Sequence, residues 1–169
     1  VSMTVSVGDH VPECTLYEYF NEESDGCSVG PNAFKMSELV KGKRIALFAL
    51  PGAYTPTCSA KHLPGYVEKA EALKEKVDEI WCVSVNDAFV MGAWGRDNNA
   101  TGSVRMMADG AAEFTKAVGM DLDLTKRGLG VRSRRYSMLL DDGIIKTINL
   151  EDAPGGMEVS DADTMLDQV

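Results

Sequence analysis

Ile45-Ala46-Leu47-Phe48-Ala49-Leu50, followed without a break by Pro51-Gly52-Ala53-Tyr54-Thr55-Pro56-Thr57-Cys58, is the stretch from which the rest of this chain can be placed. Six apolar residues in a row form a run of strand length, as expected for a strand covered on both faces. Pro51-Gly52 ends it in a tight turn. Thr55 is a good N-cap and Pro56 fits the first helical position, where its missing N–H costs nothing, so Cys58 falls at about the third residue of a helix. The N–H groups and positive dipole end of a helix favour a thiolate over a thiol. The sulfur therefore belongs just past the carboxyl end of a central strand, where open α/β sheets keep their active sites.

Working outward, apolar positions Leu63, Tyr66, Val67, Ala70 and Leu73 recur at helical spacing between lysines and glutamates, which predicts an amphipathic helix from Thr57 to Lys76. Pro64 should kink its second turn, because it removes a backbone bond and crowds the carbonyl of Ala60. Glu79 to Val85 reads as the next strand and Asp87 to Asp97 as a helix. Val104–Ala108 and Ala111 to Val118 repeat that order. Tyr136–Leu140 and Ile144–Ile148 flank Asp142-Gly143, a pair suited to a type I′ hairpin turn. Ser160-Asp161-Ala162-Asp163 offers a cap for a short terminal helix. Before the first core strand, Ser37-Glu38-Leu39 reads as one helical turn, and Asn21 to Asn32 as a polar loop holding an exposed Cys27. Alternating β and α units, then a hairpin and a last helix, predict one α/β domain over residues 1–169. The fold expected is thioredoxin-like, a mixed central sheet flanked by helices.

The chain has 169 residues, 17 basic and 26 acidic side chains, and a formal charge of −9. That balance opposes nucleic acid and anionic membrane surfaces. The longest apolar run is too short to span a bilayer. Four unevenly spaced cysteines, Cys14, Cys27, Cys58 and Cys82, include no C-x-x-C pair. They make a poor disulfide framework and a poor zinc site, which favours a reducing, cytoplasmic location.

Pro51-x-x-x-Thr55-x-x-Cys58 resembles the active-site motif of peroxiredoxins. The similarity to the five-type (type II) branch runs on through His62-Leu63-Pro64-Gly65-Tyr66, Ser84 to Val90 with Trp94, Ala108-Asp109-Gly110, and Arg134-Arg135-Tyr136-Ser137-Met138. It implies reduction of hydrogen peroxide and alkyl hydroperoxides by Cys58, without metal, haem or nicotinamide. It further implies that Arg135 keeps the sulfur ionised and holds the peroxide, and that Thr55 donates its hydroxyl. Backbone N–H groups of Thr57 and Cys58 would complete the pocket, with Pro51 as a wall that limits water. Each residue also has a plainer reading: Thr55 as cap only, Pro51 as strand terminator, Arg135 as one member of a basic cluster in which Arg132 and Arg134 are rivals. Strand alternation puts Arg134 on the opposite face, and Arg132 too far away unless the strand bends.

The sulfenic acid left on Cys58 must be cleared by a second thiol. Val159 stands where relatives with a late resolving cysteine carry it. Cys82 is the remaining internal candidate, although its apolar strand also suits a packed core thiol. The expectation is a one-cysteine cycle reset by glutathione through glutaredoxin, with a Cys58–Cys82 disulfide reduced by thioredoxin as the alternative. Two rivals stand outside this chemistry: a hydrolase dyad of Cys58 and His62, four apart on one helix, and a non-catalytic interaction or holdase module. Gly128-Leu129-Gly130 lacks the third glycine of a nucleotide-binding loop and reads as a turn. Trp94 and Phe89 are either core or the contact of a homodimer.

Overall fold

The computed structural model describes residues 4–20, 29–153 and 156–169, with Cys58 described by its backbone. Seven strands form the main sheet in the order β2-β1-β5-β4-β3-β8-β9. They are β1 (Thr15–Phe20), β2 (Gly30–Lys35), β3 (Arg44–Leu50), β4 (Glu79–Ser84), β5 (Arg105–Ala108), β8 (Tyr136–Asp141) and β9 (Ile144–Leu150). β3 pairs parallel with β4, and β4 with β5, while β8 and β1 join them antiparallel. The mixed sheet expected from the βα alternation is present, with the apolar run Ile45–Leu50 near its centre.

Helices cover both faces, and the period of two along the central strands explains why. In β3, Ala46, Phe48 and Leu50 belong to one core cluster, and Ile45, Leu47 and Ala49 to the other. β4 divides likewise: Ile80 and Cys82 face the first cluster, Trp81 and Val83 the second. Such a strand has no wet face, so its sequence reads as continuously apolar. The first cluster is closed by α2 (Leu63–Glu68), α3 (Ala70–Lys74), α4 (Ala88–Asp97) and α6 (Ala162–Gln168). The second is closed by α1 (Met36–Leu39) and α5 (Glu113–Ala117).

Local signals explain the element ends. Asp87 accepts from the Val90 N–H at 2.8 Å and Asp161 from the Thr164 N–H at 3.3 Å, two side-chain caps on α4 and α6. Asp142 (φ 48) and Gly143 (φ 82) are both left-handed, as the type I′ turn of the β8–β9 hairpin requires.

Three expectations need correction. Gly30, Pro31 and Asn32 lie in β2, paired with β1, rather than in a loop; Cys27 lies outside the described residues. A second, two-stranded sheet of β6 (Asp121–Leu124) and β7 (Gly130–Ser133) precedes the hairpin, with Gly128 and Gly130 in its turn. The helix after Cys58 is not continuous. A π turn spans Cys58–His62, α2 follows, and Lys69 separates α2 from α3. Pro64, at the start of α2, is the physical reason for the wide turn. It cannot donate to Ala60 and its ring crowds that carbonyl, which a five-residue spacing relieves.

Candidate active site

The loop from Pro51 to Thr55 is pinned to the strand ends around it. Asn86, just past β4, accepts the Ala53 N–H at 2.9 Å and the Ser84 hydroxyl at 2.6 Å through one amide oxygen. Tyr54 takes a left-handed backbone (φ 63), which a tyrosine adopts only when its surroundings hold it there. Its hydroxyl donates to Asp97 at 2.6 Å, and its ring centroid lies 6.3 Å from that of Trp94. The Ser59 N–H reaches the Thr55 carbonyl at 2.9 Å, so Thr55 is indeed the residue on which the helix starts. Its hydroxyl donates to the Gly52 carbonyl at 2.8 Å rather than capping a helix N–H.

Arg135 enters from the break between β7 and β8 and is 2% exposed. Its Nη1 donates to His62 Nδ1 at 2.8 Å, and His62 closes the π turn that opens at Cys58. A guanidinium has no acceptor, so Nδ1 must be bare and the proton sits on Nε2. Nε2–H donates to the Ser160 carbonyl at 3.0 Å, and that carbonyl also receives the Tyr66 hydroxyl at 2.9 Å. Burial, and then the neighbouring Arg135 charge, push the His62 pKa down to about 3, so the ring is neutral at pH 7. Phe48 lies under this group, stacked on Tyr66 with centroids 4.0 Å apart and 4.9 Å from the His62 ring.

The segment before α6 is held by one carboxylate. Glu151 accepts from the N–H groups of Glu158, Val159 and Ser160 and from the Ser160 hydroxyl, the last two at 2.7 and 2.6 Å. Burial would raise its pKa, but these donors outweigh it and hold the carboxyl below its usual value. The Glu151 N–H also donates to the Arg135 carbonyl at 3.0 Å. Ser160, His62 and Arg135 are thus braced from one side by Glu151.

The expected site residues fall out as follows. Pro51, Thr55 and the backbone of Cys58 follow one another past the carboxyl end of β3, and Arg135 is tied to them through His62, at the other end of the π turn. Arg135 is not on a strand, and the bend at residues 134–135 has a second consequence. Arg132 reaches the same loop, with its Nη1 3.5 Å from the Pro51 carbonyl and its Nε donating to the Leu129 carbonyl at 2.9 Å. Cys82 is fully buried inside the first core cluster, as is Trp94, whose indole N–H donates to the Ser59 hydroxyl at 3.0 Å. Trp94 therefore cannot contact a second subunit. Phe89, in the first turn of α4, is 62% exposed and remains available. The Cys58–His62 hydrolase dyad fails, because both ring nitrogens are committed and the pKa is far too low for a base.

Residues absent from the sequence-based site are Asn86, Glu151 and Ser160. Asn86 reaches Ala53 across 33 residues and Ser160 reaches His62 across 98, which no local pattern announces, and Glu151 acts through irregular chain seven to nine residues further on. The sequence shows His62 in the run His62–Tyr66 that carries the family resemblance and as a neighbour of Cys58 on one helix, but not as the partner of Arg135.

The redoxin family matches residues 6–166. Peroxiredoxin-2B of Arabidopsis thaliana is 48% identical over 163 residues, covering 96% of this chain and 96% of that protein. The chain is a peroxiredoxin. Its enzyme class is accordingly a thiol-dependent peroxidase. Among solved structures, reduced Prx3 of Vibrio vulnificus in complex with hydrogen peroxide is similar at 46% identity and a TM-score of 0.88, covering 98% of this chain and 99% of that one. A Burkholderia cenocepacia structure described as a thioredoxin reductase is 55% identical with a TM-score of 0.96, covering 99% of both chains. This peroxiredoxin has neither a C-x-x-C pair nor a complete G-x-G-x-x-G loop, the residues a nicotinamide-dependent disulfide reductase would use. No helix among the described residues is long and apolar enough to cross a membrane, and no cluster of three metal-ligating side chains occurs among them.

Proposed function

We propose that Cys58 is the residue that attacks the peroxide, and that Arg135, Thr55, Pro51 and the backbone N–H groups of Thr57 and Cys58 form its pocket. The carrying observation is the buried Arg135 guanidinium fixed on His62 at 2.8 Å, at the far end of the turn that Cys58 opens. The thiolate attacks one peroxide oxygen and the O–O bond breaks. Charge develops on the departing oxygen, which leaves as water or an alcohol after taking a proton, and the sulfur becomes a sulfenic acid. A preorganised guanidinium beside that oxygen stabilises the charge as it forms. Pro51, buried and without an N–H, keeps water from solvating the thiolate.

The cycle we favour is completed from outside. Glutathione condenses with the sulfenic acid, releasing water, and a second thiol, delivered through glutaredoxin, displaces Cys58 and carries the disulfide away. Complete burial of Cys82 supports this, since a Cys58–Cys82 bond would have to open the packed face of β4. Electrons come from thiols throughout, so no bound cofactor enters the scheme. We place the protein in the cytoplasm, from its charge and cysteine usage. We further propose that it pairs as a homodimer through the apolar surface around Phe89, Tyr17 and Pro31.

Peroxide loss should be followed with glutathione plus glutaredoxin and with thioredoxin plus its reductase. Turnover lost in Cys58→Ser, and faster with glutathione, supports the proposal. Turnover equal to wild type in Cys58→Ser would leave a non-catalytic module. Mass spectrometry after one equivalent of peroxide settles the resolving step: a Cys58–Cys82 disulfide as the main product rules out the external cycle.

A further inference from the structure

In a chain of net charge −9, the seventeen residues from Leu124 to Leu140 carry five cations, Lys126, Arg127, Arg132, Arg134 and Arg135, and no acidic side chain. Arg132 is the member of this group that the fold brings against the Pro51–Thr55 loop. Two carbonyls hold it: its Nε donates to Leu129 and its Nη1 lies 3.5 Å from the Pro51 oxygen. It is half-buried, and its place over Gly52 is tight. A Cβ on Gly52 would lie 2.7 Å from Arg132 Nη1 and 3.4 Å from the Thr55 methyl. The guanidinium and the Thr55 side chain therefore border one small space, which the absent side chain of Gly52 leaves open.

What sets Arg132 apart is its place against the Pro51–Thr55 loop, joined to a lack of carboxylate partner that it shares, among the described residues, with Arg127 and Arg134. Arg105 is paired with Glu18 and Glu79, and Arg44 lies 3.8 Å from Asp141. Among the described residues no carboxylate lies within ion-pair reach of Arg132, although the chain has 26 acidic side chains to offer. Backbone carbonyls occupy Nε and Nη1 but leave the planar fork's remaining N–H groups to a partner from outside. A guanidinium fork matches a carboxylate in shape and charge.

We infer that Arg132 is a binding residue for a carboxylate carried by the reactant that comes to Cys58, either the hydroperoxide or the thiol that resets the sulfur. The inference rests on the reading of Cys58 as the peroxide-attacking residue. Its chemical sense lies in the overall charge: an anionic reactant meets a repulsive molecule, and a fixed cation at the rim of the site restores the attraction locally. Arg135, buried on His62, serves the oxygen–oxygen bond, and Arg132 serves the reactant's distant end.

Two matched pairs of reagents separate the sources. In the first, hydrogen peroxide is reduced with glutathione or with glutathione diethyl ester, whose carboxylates are masked. In the second, dithiothreitol is the reductant, and the peroxide is linoleic acid hydroperoxide or its methyl ester. For each pair the quantity read is the ratio of rate constants, acid over ester, so a general change in activity cancels. Replacing Arg132→Met should lower one ratio about fivefold, the scale of one partly solvated charge-assisted contact. Arg132→Glu should lower the same ratio further. Gly52→Ala, which displaces the guanidinium by its Cβ, should reproduce the methionine result. A fall in the first ratio identifies the thiol as carrier of the carboxylate, and a fall in the second identifies the peroxide. Both ratios within twofold of wild type in Arg132→Met and Arg132→Glu would overturn the inference. Hydrogen peroxide consumption with dithiothreitol that survives Cys58→Ser would instead remove the underlying reading, and this one with it.

Discussion

The most informative single side chain is His62, because both its nitrogens are spoken for. Its ring is 1% exposed, accepts from Arg135 and donates to Ser160, and its pKa is depressed to about 3 by burial and then by the Arg135 charge. The unfolded chain binds a proton here below about pH 6.5, whereas the folded chain does not until about pH 3. Stability from this residue is therefore complete above pH 6.5 and is lost as pH falls towards 3, with a limiting slope of about 1.4 kcal/mol per pH unit. Glutamine can accept from Arg135 and donate to Ser160 without titrating. Urea unfolding at pH 7 and pH 4.5 should then show wild type losing about 2 kcal/mol more than His62→Gln. Equal losses in the two proteins would mean that the ring is not held neutral. Arg135 itself should tolerate nothing: Arg135→Met is expected to lower kcat/KM for hydrogen peroxide by about 100- to 1,000-fold. If Arg135 holds the peroxide as proposed, Arg135→Lys should recover little of it, since an ammonium lacks the planar fork needed to hold His62 and a second partner at once. Recovery to within a few-fold of wild type would show that charge alone suffices.

Among the elements, the π turn Cys58–His62 decides where Cys58 stands relative to Arg135. Pro64→Ala restores the N–H that Ala60 lacks as a donor, and lets the turn tighten into an α-helix. The expected result is a protein more stable by about 1–3 kcal/mol and slower with peroxide, because the tightened helix rotates Cys58 away from the His62–Arg135 pair. Thermal melting and peroxide kinetics on the same sample test this, and unchanged kinetics with higher stability would sink it. Asn86 gives a second test, since its amide oxygen alone holds the Ala53 N–H. Asn86→Ala should cost about 1–3 kcal/mol by orphaning that donor, and should lower peroxidase turnover even well below the melting transition. How much of this was legible follows from range. β3, β4, α4 and the β8–β9 hairpin are written in local periodicity and in Asp142-Gly143, and the thiol turn in Thr55-Pro56. β1, β2, β6 and β7 are not, because polar strands such as Tyr17-Glu18-Tyr19 and Asp121-Leu122-Asp123-Leu124 owe their conformation to partners across the sheet. The π turn was legible as a kink at Pro64 but not as a widened register. Strand alternation leaves Arg132 too far away unless the chain bends, and the break between β7 and β8 at residues 134–135 supplies that bend, which no local pattern announces.

At the scale of the whole molecule, the two core clusters consume nearly every large apolar side chain, which makes the exceptions worth weighing. Trp94, the larger of the two aromatic candidates for a dimer contact, is spent inside, on Ser59 and the first cluster. Phe89 is 62% exposed, five positions earlier on the same helix, with its ring 5.7 Å from that of Tyr19. Tyr17, 41% exposed, and Pro31 border the same hollow, together with Ala108, Gly110 and Ala111. Small residues at the end of β5 let an incoming surface approach closely, and aromatic residues at its edge supply area at low entropic cost. Asp87 is the acidic residue in the hollow's lining, so like-charge repulsion between copies is modest there despite the net charge of −9. If two copies meet on this face, Phe89 is buried twice across the axis, and Phe89→Glu places two carboxylates in the contact. Sedimentation at micromolar concentration should then find wild type as a dimer and Phe89→Glu as a monomer, with the variant's melting temperature no longer rising with protein concentration. A variant that still sediments as a dimer would move the contact to another face of the molecule.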